Sequence, residues 1–374
     1  VLSTQRLDRI VEQIHAYAIQ RFGDNAEKIL YVAHGSNARR EFVPGSDIDL
    51  RLEVSDVETQ QDVVAFVTDV VYRVFNENIT LVPTSRQLQW NSTKSSDIDI
   101  ASSVLETRFV AGDRDIWAAW RKDIISSLKA AYDADPQVFI NMKRNEWQTR
   151  YAKNGYREGM NIKEPDLKSG NGSLRDLQVL YTIGLAEYFA QYEDTDKLAR
   201  SIFVSHRDIW TFLIERGLLD RTQLRELTKA YILLLRTRAL TGQLNDRKEK
   251  AKVVLENYLP IATQLGYRGD DQARIRAFLK DLRKAQDLLF RFTLRKLRYL
   301  LSDQEIYSAD QISEAADLPE GLVVIHRTGE YLLLENGFQH RENQRTIAIR
   351  DQANDKHVYL TRIFDILTHV AVHY

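Results

Sequence analysis

The chain has 374 residues, enough for two or three domains and for a hydrophobic core that needs no disulfides. It contains 52 Lys and Arg against 53 Asp and Glu, and this balance disfavours a generally basic nucleic-acid-binding protein. It contains no cysteine, which excludes disulfides, thiolate metal sites and cysteine nucleophiles. No apolar run reaches the length of a membrane span, so the composition predicts a soluble, cytoplasmic protein without a membrane partner.

The first hundred residues carry the pattern of a small α/β domain. Apolar residues recur at helical spacing over 3–22, and a short apolar run over 29–33 predicts a buried strand. Apolar and charged residues alternate over 48–52, which predicts a second strand. A helix over 57–76 and a third strand over 79–82 follow. This order of elements predicts a small mixed sheet covered by helices.

Helical patterns dominate after residue 100. They predict helices over 104–132, 136–152, 173–192, 206–216, 222–241, 250–265 and 272–301. Near the end of the chain, apolar runs over 322–325 and 331–334 flank a turn signal and predict a hairpin. A final helix is predicted over 356–374.

These changes of pattern predict three regions. Residues 1–135 form an α/β domain, residues 136–302 form an all-helical domain, and residues 303–374 form a short α/β region. The last region stops in an amphipathic pattern without a helix stop, as expected of a chain cut from a longer one.

One segment carries a chemical signature, GSNARREFVPGSDIDL over 35–50. Its Gly-Ser pair, Gly35 and Ser36, ends the first predicted strand, and ten residues later Asp47 and Asp49 fall on one face of the next strand. Adjacent carboxylates repel each other unless a cation lies between them, and hard divalent ions prefer such oxygen ligands. The spacing therefore predicts a metal site at Asp47 and Asp49 that bridges nucleotide phosphates.

The turn itself suits a phosphate group. Gly35 and Ser36 offer backbone N–H groups and a hydroxyl at close approach, and Arg39 and Arg40 add positive charge. In the alternative interpretation this is a surface turn before an edge strand with solvated acids. The combination of turn, spacer and paired aspartates between apolar strands disfavours that alternative.

The same segment resembles the polymerase-β-like nucleotidyltransferase superfamily, in which an apolar strand, Gly-Gly or Gly-Ser and a spacer precede alternating aspartates. More narrowly, Arg39, Glu41, Pro44 and the run 46–50 resemble the bacterial PII uridylyltransferases, regulatory enzymes of nitrogen metabolism. Four later segments are similar to the same family: LETRFVAGD at 105–113, NIKEPDLKSGNGSLRDLQ at 161–178, LLRTRALTGQLNDR at 234–247 and IATQLGY at 261–267.

The resemblance implies a fold and a reaction. The fold is α/β plus α, a polymerase-β-like nucleotidyltransferase domain followed by an all-helical domain. The reaction moves a nucleoside monophosphate from an NTP, with UTP favoured, to a tyrosine of a PII-type acceptor protein and releases pyrophosphate. Asp47 and Asp49 would hold Mg²⁺ or Mn²⁺, while Ser46 and Arg39 help the glycine-serine turn to seat the triphosphate. Nucleic acid is not an expected partner.

The chain departs from the superfamily pattern at the third carboxylate, which usually lies on a later strand. Residues 79–84 hold no acid. Asp97 is favoured for this catalytic role, against the alternative that it caps the following helix. Glu106 is a second candidate to complete the metal site or to accept the hydroxyl proton. Asp97 and Asp99 rank second as the main metal pair, because no apolar strand and Gly-Ser turn lie at the right distance before them.

A second glycine-rich turn, over 170–172, precedes a predicted helix whose start favours an anion. Asn161, Lys163, Arg175 and Asp176 are therefore candidate contacts of the nucleotide, Lys163 and Arg175 above all. In the alternative, a serine caps this helix and Arg175 pairs with a nearby acid. The sequence leaves both interpretations open.

The second activity of the family is not expected here. The full family enzyme continues into an HD phosphohydrolase domain and two ACT domains, whereas none of the 8 histidines of this chain is followed by Asp. The chain is thus expected to add a nucleotide and not to hydrolyse it off. Two other functions stay open: the same chemistry with another nucleotide or acceptor, such as adenylylation of a protein or modification of nucleic acid, and a catalytically weak nucleotide-binding regulator.

Overall fold

The computed structural model describes residues 2–43, 48–54, 60–75, 80–81, 95–154, 164–245, 251–302, 322–328, 331–336 and 345–349. The chain divides into two compact units, Val1–Phe290 and Arg291–Tyr374. The described helices are α1 (Leu2–Phe22), α2 (Asp24–Glu27), α3 (Gly35–Ala38), α4 (Gln61–Phe75), α5 (Ser95–Leu105), α6 (Arg114–Ala134), α7 (Val138–Asn154), α8 (Leu174–Gln191), α9 (Thr195–Arg200), α10 (His206–Glu215), α11 (Arg221–Leu244), α12 (Tyr258–Gln264) and α13 (Asp271–Ser302). The described strands are β1 (Ile29–His34), β2 (Leu50–Val54), β3 (Thr80–Leu81), β4 (Thr107–Ala111), β5 (Leu322–Thr328), β6 (Tyr331–Asn336) and β7 (Arg345–Ile349).

The first unit contains a four-stranded sheet in the order β3-β2-β1-β4. Strand β1 is antiparallel to both β2 and β4, and β2 pairs in parallel with β3. All residues of β1 from Ile29 to Ala33 are buried, as expected of a central strand that is covered on both faces. The predicted small mixed sheet is therefore confirmed.

Helices cover both faces of this sheet. On one face, α1 and α4 contribute Val11, Ile14 and Val67, which share a hydrophobic cluster with Tyr31 of β1 and Leu52 of β2. On the other face, a second cluster joins the sheet to α6 through the residues Leu30, Val32, Phe109 and Trp117. Because side chains alternate along a strand, the apolar run of β1 supplies both clusters.

The sequence pattern predicts one helix over 104–132, and this prediction is wrong. The chain leaves α5 at Leu105, forms the strand β4 and begins α6 at Arg114. Strand β4 contains β-branched and aromatic residues, which favour extended backbone, and its pairing with β1 completes the sheet. Asp113 then caps α6, since its side chain accepts the backbone N–H groups of Asp115 and Ile116.

Helix α8 is the centre of the helical part of the first unit, where it packs against α5, α6, α7, α10 and α11. Most of its residues are buried on all sides. Within a few residues the structure confirms the helices predicted over 136–152, 173–192, 206–216, 222–241 and 272–301. The helix predicted over 250–265 is shorter, because α12 starts only at Tyr258 after a single 3-10 turn. None of the described helices is long and apolar enough to cross a membrane.

In the second unit, β5, β6 and β7 form an antiparallel sheet in chain order. The predicted hairpin is confirmed, since Thr328 of β5 lies opposite Tyr331 of β6. Strand β7 has no counterpart in the sequence prediction. The helix predicted over 356–374 lies outside the described residues.

Candidate functional site

The glycine-serine turn lies where β1 ends and α3 begins. Gly35 has φ +54°, a left-handed conformation that glycine adopts without strain. A Cβ atom at this position would lie 3.1 Å from the Asp49 Oδ2 atom. The backbone N–H of His34 donates to the Asp49 carbonyl oxygen at 3.1 Å. Glycine thus allows the turn to pass close to the Asp49 carboxylate.

The hydroxyl of Ser36 is hydrogen-bonded to the same carboxylate, that of Asp49. Ser36 Oγ donates to Asp49 Oδ2 at 3.4 Å, a long hydrogen bond. The structure therefore brings together three of the predicted site residues, Gly35, Ser36 and Asp49. Two further predicted residues of this segment, Ser46 and Asp47, lie outside the described residues.

The donor atoms at this turn fit a hard divalent cation in kind. The carboxylate of Asp49 and the hydroxyl of Ser36 supply the oxygen ligands that Mg²⁺ prefers. Within the ranges that the structure describes, no cluster of three His, Asp or Glu side chains forms a metal site. The predicted pair includes Asp47, which is not described, so the metal site stays a prediction.

Arg39 follows the turn, and its side chain points into the protein. Its Nε atom donates to Glu41 Oε2 at 2.8 Å, and its Nη1 atom pairs with Glu106 Oε2. Burial opposes the charged form of Arg39, but the Glu106 and Glu41 carboxylates outweigh burial and raise its pKa well above the usual value. Contact of Arg39 with a nucleotide stays a prediction, and the structure shows this guanidinium engaged by two carboxylates.

The two glutamates are themselves held by helices of the helical part. Tyr231 of α11 donates its hydroxyl to Glu41 Oε2 at 2.8 Å and accepts from Gln178 Nε2 at 2.9 Å. Thr182 of α8 is hydrogen-bonded to Glu106. Sequence reasoning did not find Tyr231, Gln178 or Thr182, because Tyr231 is 190 positions away from Glu41 and no local pattern marks such a contact.

The face of β2 that continues from Asp49 is polar and buried. Arg51 and Glu53 are 3% and 1% exposed, and their nearest side-chain atoms lie 3.6 Å apart. Burial raises the pKa of Glu53 to about 7, although the Arg51 guanidinium opposes this rise. Burial and the charge of Arg51 lower the pKa of His34, at the end of β1, to about 4. The alternation of charged and apolar residues through 47–53 is the signal from which this face could have been found.

The candidates for the third carboxylate lie on helix α5 and at its end. Asp97 belongs to the first turn of α5 and not to a strand, and its side chain lies outside the described parts. Asp99 is exposed on the same helix. Glu106 directly follows the helix, and its carboxylate accepts hydrogen bonds from Arg39 and Thr182. The catalytic role of Asp97 stays a prediction.

The second glycine turn is closed by the protein itself. Gly172 has φ +69°, and a Cβ atom there would lie 2.2 Å from the carbonyl oxygen of Gln286 in α13. The fully buried Asp176 accepts the Gly172 N–H at 2.8 Å and pairs with Arg150 at 2.7 Å. Ser173 is the N-cap residue of α8, but its hydroxyl donates to the Lys168 carbonyl oxygen.

Arg175 lies in the first turn of α8 and is exposed. Its charge acts on two acids, Asp99 of α5 and Glu146 of α7. Burial and Glu146 raise the pKa of Asp99, while Arg175 opposes this rise, and Arg175 also helps to lower the pKa of Glu146. The structure thus shows Arg175 near two acids, and its contact with a nucleotide stays a prediction. The other predicted contacts of this segment, Asn161 and Lys163, lie outside the described residues.

The mixed sheet, the glycine-serine turn before Asp49 and the helices that follow agree with the predicted fold, a nucleotidyltransferase domain followed by an all-helical region. Residues 138–293, in the helical region, match the family described as GlnD PII-uridylyltransferase. The resemblance to the PII uridylyltransferases is thereby confirmed over this stretch.

Individual relatives carry a related name, bifunctional uridylyltransferase/uridylyl-removing enzyme. The protein from Cupriavidus pinatubonensis is 28% identical over 270 residues, which are 72% of this chain and 28% of that protein. The protein from Bordetella pertussis is 29% identical over 58% of this chain and 22% of its own length. The protein from Haemophilus influenzae is 24% identical over 67% of this chain and 26% of its own length. The chain thus spans about a quarter of the length of the curated relatives that it matches.

Proposed function

We propose that this chain transfers a nucleoside monophosphate, UMP from UTP, to a tyrosine hydroxyl of a PII-type protein and releases pyrophosphate. The observation that carries the proposal is the Gly35–Ser36 turn held against the Asp49 carboxylate, which brings a hydroxyl and a carboxylate together as oxygen ligands for a metal-bound nucleotide. The choice of nucleotide and of acceptor is supported by the family match over 138–293 and by the names of the relatives.

In this proposal the residues at the turn act by binding and positioning. Asp49 would hold Mg²⁺ together with Asp47. The role of Asp47 rests on the sequence alone, in which strand alternation places it on the same face as Asp49. Mg²⁺ would neutralise charge that develops on the phosphates during transfer. Gly35 lets the turn pass close to the Asp49 carboxylate, and Ser36 orients that carboxylate through its hydroxyl. Contacts of the nucleotide with Ser46, Lys163 and Arg175 belong to the same proposal.

The proposal covers addition of the nucleotide and not its removal. Removal would need water as the acceptor, and a transferase site of this kind runs backwards with pyrophosphate instead. The family's hydrolytic activity uses His-Asp metal ligands, and no histidine of this chain is followed by Asp. We therefore propose that the chain cannot release UMP from a modified acceptor, with or without glutamine.

The test of addition uses the purified chain, a PII-type protein, Mg²⁺ and each of the four NTPs in turn, followed by intact mass of the acceptor. The expected result is one added UMP per acceptor with UTP, lost when Mg²⁺ is chelated. Addition of AMP instead would reassign the nucleotide, and binding of an NTP without any transfer would favour the regulator. Failure to bind any NTP would overturn the proposal.

The test of removal starts from the modified acceptor. The chain is added with Mg²⁺ or Mn²⁺ and glutamine, and the mass of the acceptor is followed over time. No loss is expected unless pyrophosphate is supplied. Steady loss without pyrophosphate, abolished by a substitution in this chain, would contradict the restriction to addition.

A further inference from the structure

A buried ionic network lies directly behind the Gly35–Ser36 turn. Its charged members are Arg39, Glu41 and Glu106, whose side chains are 9%, 12% and 8% exposed. One guanidinium therefore faces two carboxylates in a region with little water. A buried carboxylate without enough hydrogen-bond donors is costly, so each neutral donor to these acids matters to the arrangement.

The main chain of the same residues is bonded to the turn. The backbone N–H of Arg39 donates to the Gly35 carbonyl oxygen at 3.1 Å. The backbone N–H of Glu41 donates to the Ser36 carbonyl oxygen at 2.8 Å. A displacement of the Arg39 or Glu41 side chain is thus transmitted over two short hydrogen bonds to the residues that face Asp49.

The other end of the network belongs to helices α8 and α11. Gln178 and Thr182 are four residues apart on α8, so they lie on one helix face. Gln178 donates to the hydroxyl of Tyr231, which donates to Glu41, and Thr182 is bonded to Glu106. Helix α8 therefore fixes both carboxylates that hold Arg39, one of them through Tyr231.

From these contacts we infer that Tyr231 is a positioning residue for the Gly35–Ser36 turn and acts on it through Glu41. One part of the inference rests on the proposed function: a well-positioned turn should raise the affinity for Mg²⁺-UTP. Its structural part, the rigidity of the turn, can be measured without any nucleotide. The hydroxyl of Tyr231 donates to Glu41, so its effect on the turn passes through that carboxylate.

A small cavity lies beside the network. Its size favours a positioning role for the network and disfavours a second ligand site. It is lined by Arg39, Glu106, Arg121 and Tyr181 among others, and its volume of about 10 Å³ has room for one water molecule. A substrate or cofactor would not fit there. This cavity therefore gives no support to a second ligand site at the network.

The experiment compares Tyr231→Phe, which removes only the hydroxyl, with Thr237→Val on the same helix. Thr237 is fully buried, and its hydroxyl donates to the Leu233 carbonyl oxygen within α11. Both variants lose one buried hydroxyl. Only Tyr231→Phe removes a donor from Glu41, so the control separates general weakening of α11 from an effect on the turn.

The first readout is amide hydrogen exchange of peptides that cover residues 33–41. We expect exchange there to be at least about threefold faster in Tyr231→Phe and unchanged in Thr237→Val. The second readout is kinetic: KM for UTP rises about 3- to 10-fold in Tyr231→Phe, while kcat changes by less than about twofold. If Tyr231→Phe does not fold, Gln178→Leu tests the same chain of contacts from its far end.

The two readouts separate the inference from the proposed function. Unchanged exchange over 33–41 in a folded Tyr231→Phe protein would overturn the inference, whatever the nucleotide does. Equal acceleration in the Thr237→Val control would also overturn it, because the effect would then be general. Faster exchange in Tyr231→Phe alone, in a protein that binds no NTP, would leave the positioning role standing and reject the proposed function.

Discussion

At the Gly35 turn, the space beside the glycine holds the carboxylate of Asp49, whereas at the Gly172 turn it holds the backbone of α13. Both glycines have left-handed backbone, and each immediately precedes or opens a helix. At the second turn, the Gly172 N–H donates to Asp176, so a side chain of the protein uses a group of the kind that binds anions at a helix start. A glycine in a turn before a helix therefore serves two purposes. At Gly35 it lets the backbone lie close to a carboxylate, and at Gly172 it lets the turn pack closely against another helix.

The largest expected effect comes from removing the carboxylate that defines the first turn. Asp49→Asn keeps the shape of the side chain but removes a negative ligand, so the transfer rate should fall at least about 10²-fold while the fold survives. The measurement is the single-turnover rate of nucleotide transfer to the acceptor protein. Asp123→Asn, an exposed aspartate of α6, is the matched control and should retain full activity. Near-normal activity of Asp49→Asn would contradict the view that the first turn serves catalysis while the second serves only packing.

The next effect concerns packing at the second turn. Gly172→Ala would place a methyl group 2.2 Å from a backbone oxygen of α13, which cannot move away as the end of a flexible side chain would. We expect a loss of about 3 kcal/mol in the free energy of unfolding, from overpacking and backbone strain together. Urea unfolding measures it. Gly217→Ala is the control, because Gly217 has φ +70° and no neighbour within 4 Å, so only strain applies there. Equal losses in the two variants would show that α13 does not press on this turn.

A smaller effect is expected at the first glycine. Gly35→Ala places a methyl group 3.1 Å from Asp49 Oδ2, so the carboxylate must shift by a few tenths of an ångström. We expect the affinity for Mg²⁺-UTP to fall about tenfold, as calorimetry would measure it. Gly23→Ala has nearly the same positive φ and open space around it, so it should lose stability but no affinity. An unchanged affinity in folded Gly35→Ala would separate this turn from the nucleotide.

The sequence predicted the parts of the fold that depend on local patterns. Helical spacing located α8, α11 and α13, a short apolar run located β1, and the alternation of apolar and charged residues located β2. It failed at β4, where strand identity is decided by pairing with β1, a partner about 75 residues earlier in the chain. Local spacing carries no information about such a partner.

The same limit divides the candidate site. Gly35, Ser36 and Asp49 lie within 15 positions of one another, so one motif reveals them together. The role of Arg39 depends on Glu106 and, through Glu41, on Tyr231, and no spacing rule connects these residues. An arginine beside a phosphate turn is therefore read from sequence as a phosphate ligand, although its neighbours in space are carboxylates.

The two turns differ also in the acids that follow them. At the second turn, Asp176 is bonded to both Arg150 and a backbone N–H. On the strand face beyond the first turn, Glu53 is equally buried, but burial outweighs Arg51 and raises its pKa to about 7. The Glu53 carboxyl should therefore titrate near pH 7 in the folded protein. In the unfolded chain it should titrate near its ordinary pKa of 4.5.

The smallest expected effect is the pH dependence that this shift produces. Because the folded-state pKa of Glu53 lies above its unfolded value, the stability linked to this proton is fully present below about pH 4.5 and is lost as pH rises through 7. Between pH 6 and 7 the loss should be about 1 kcal/mol. His34 acts in the opposite direction, since its lowered pKa costs stability as pH falls below 6.5. The measurement is therefore the difference in unfolding free energy between the unsubstituted protein and Glu53→Gln at each pH, in which the contribution of His34 cancels. This difference should fall as pH rises, and a difference that is constant from pH 5 to 8 would mean that Arg51 keeps Glu53 ionised throughout this range.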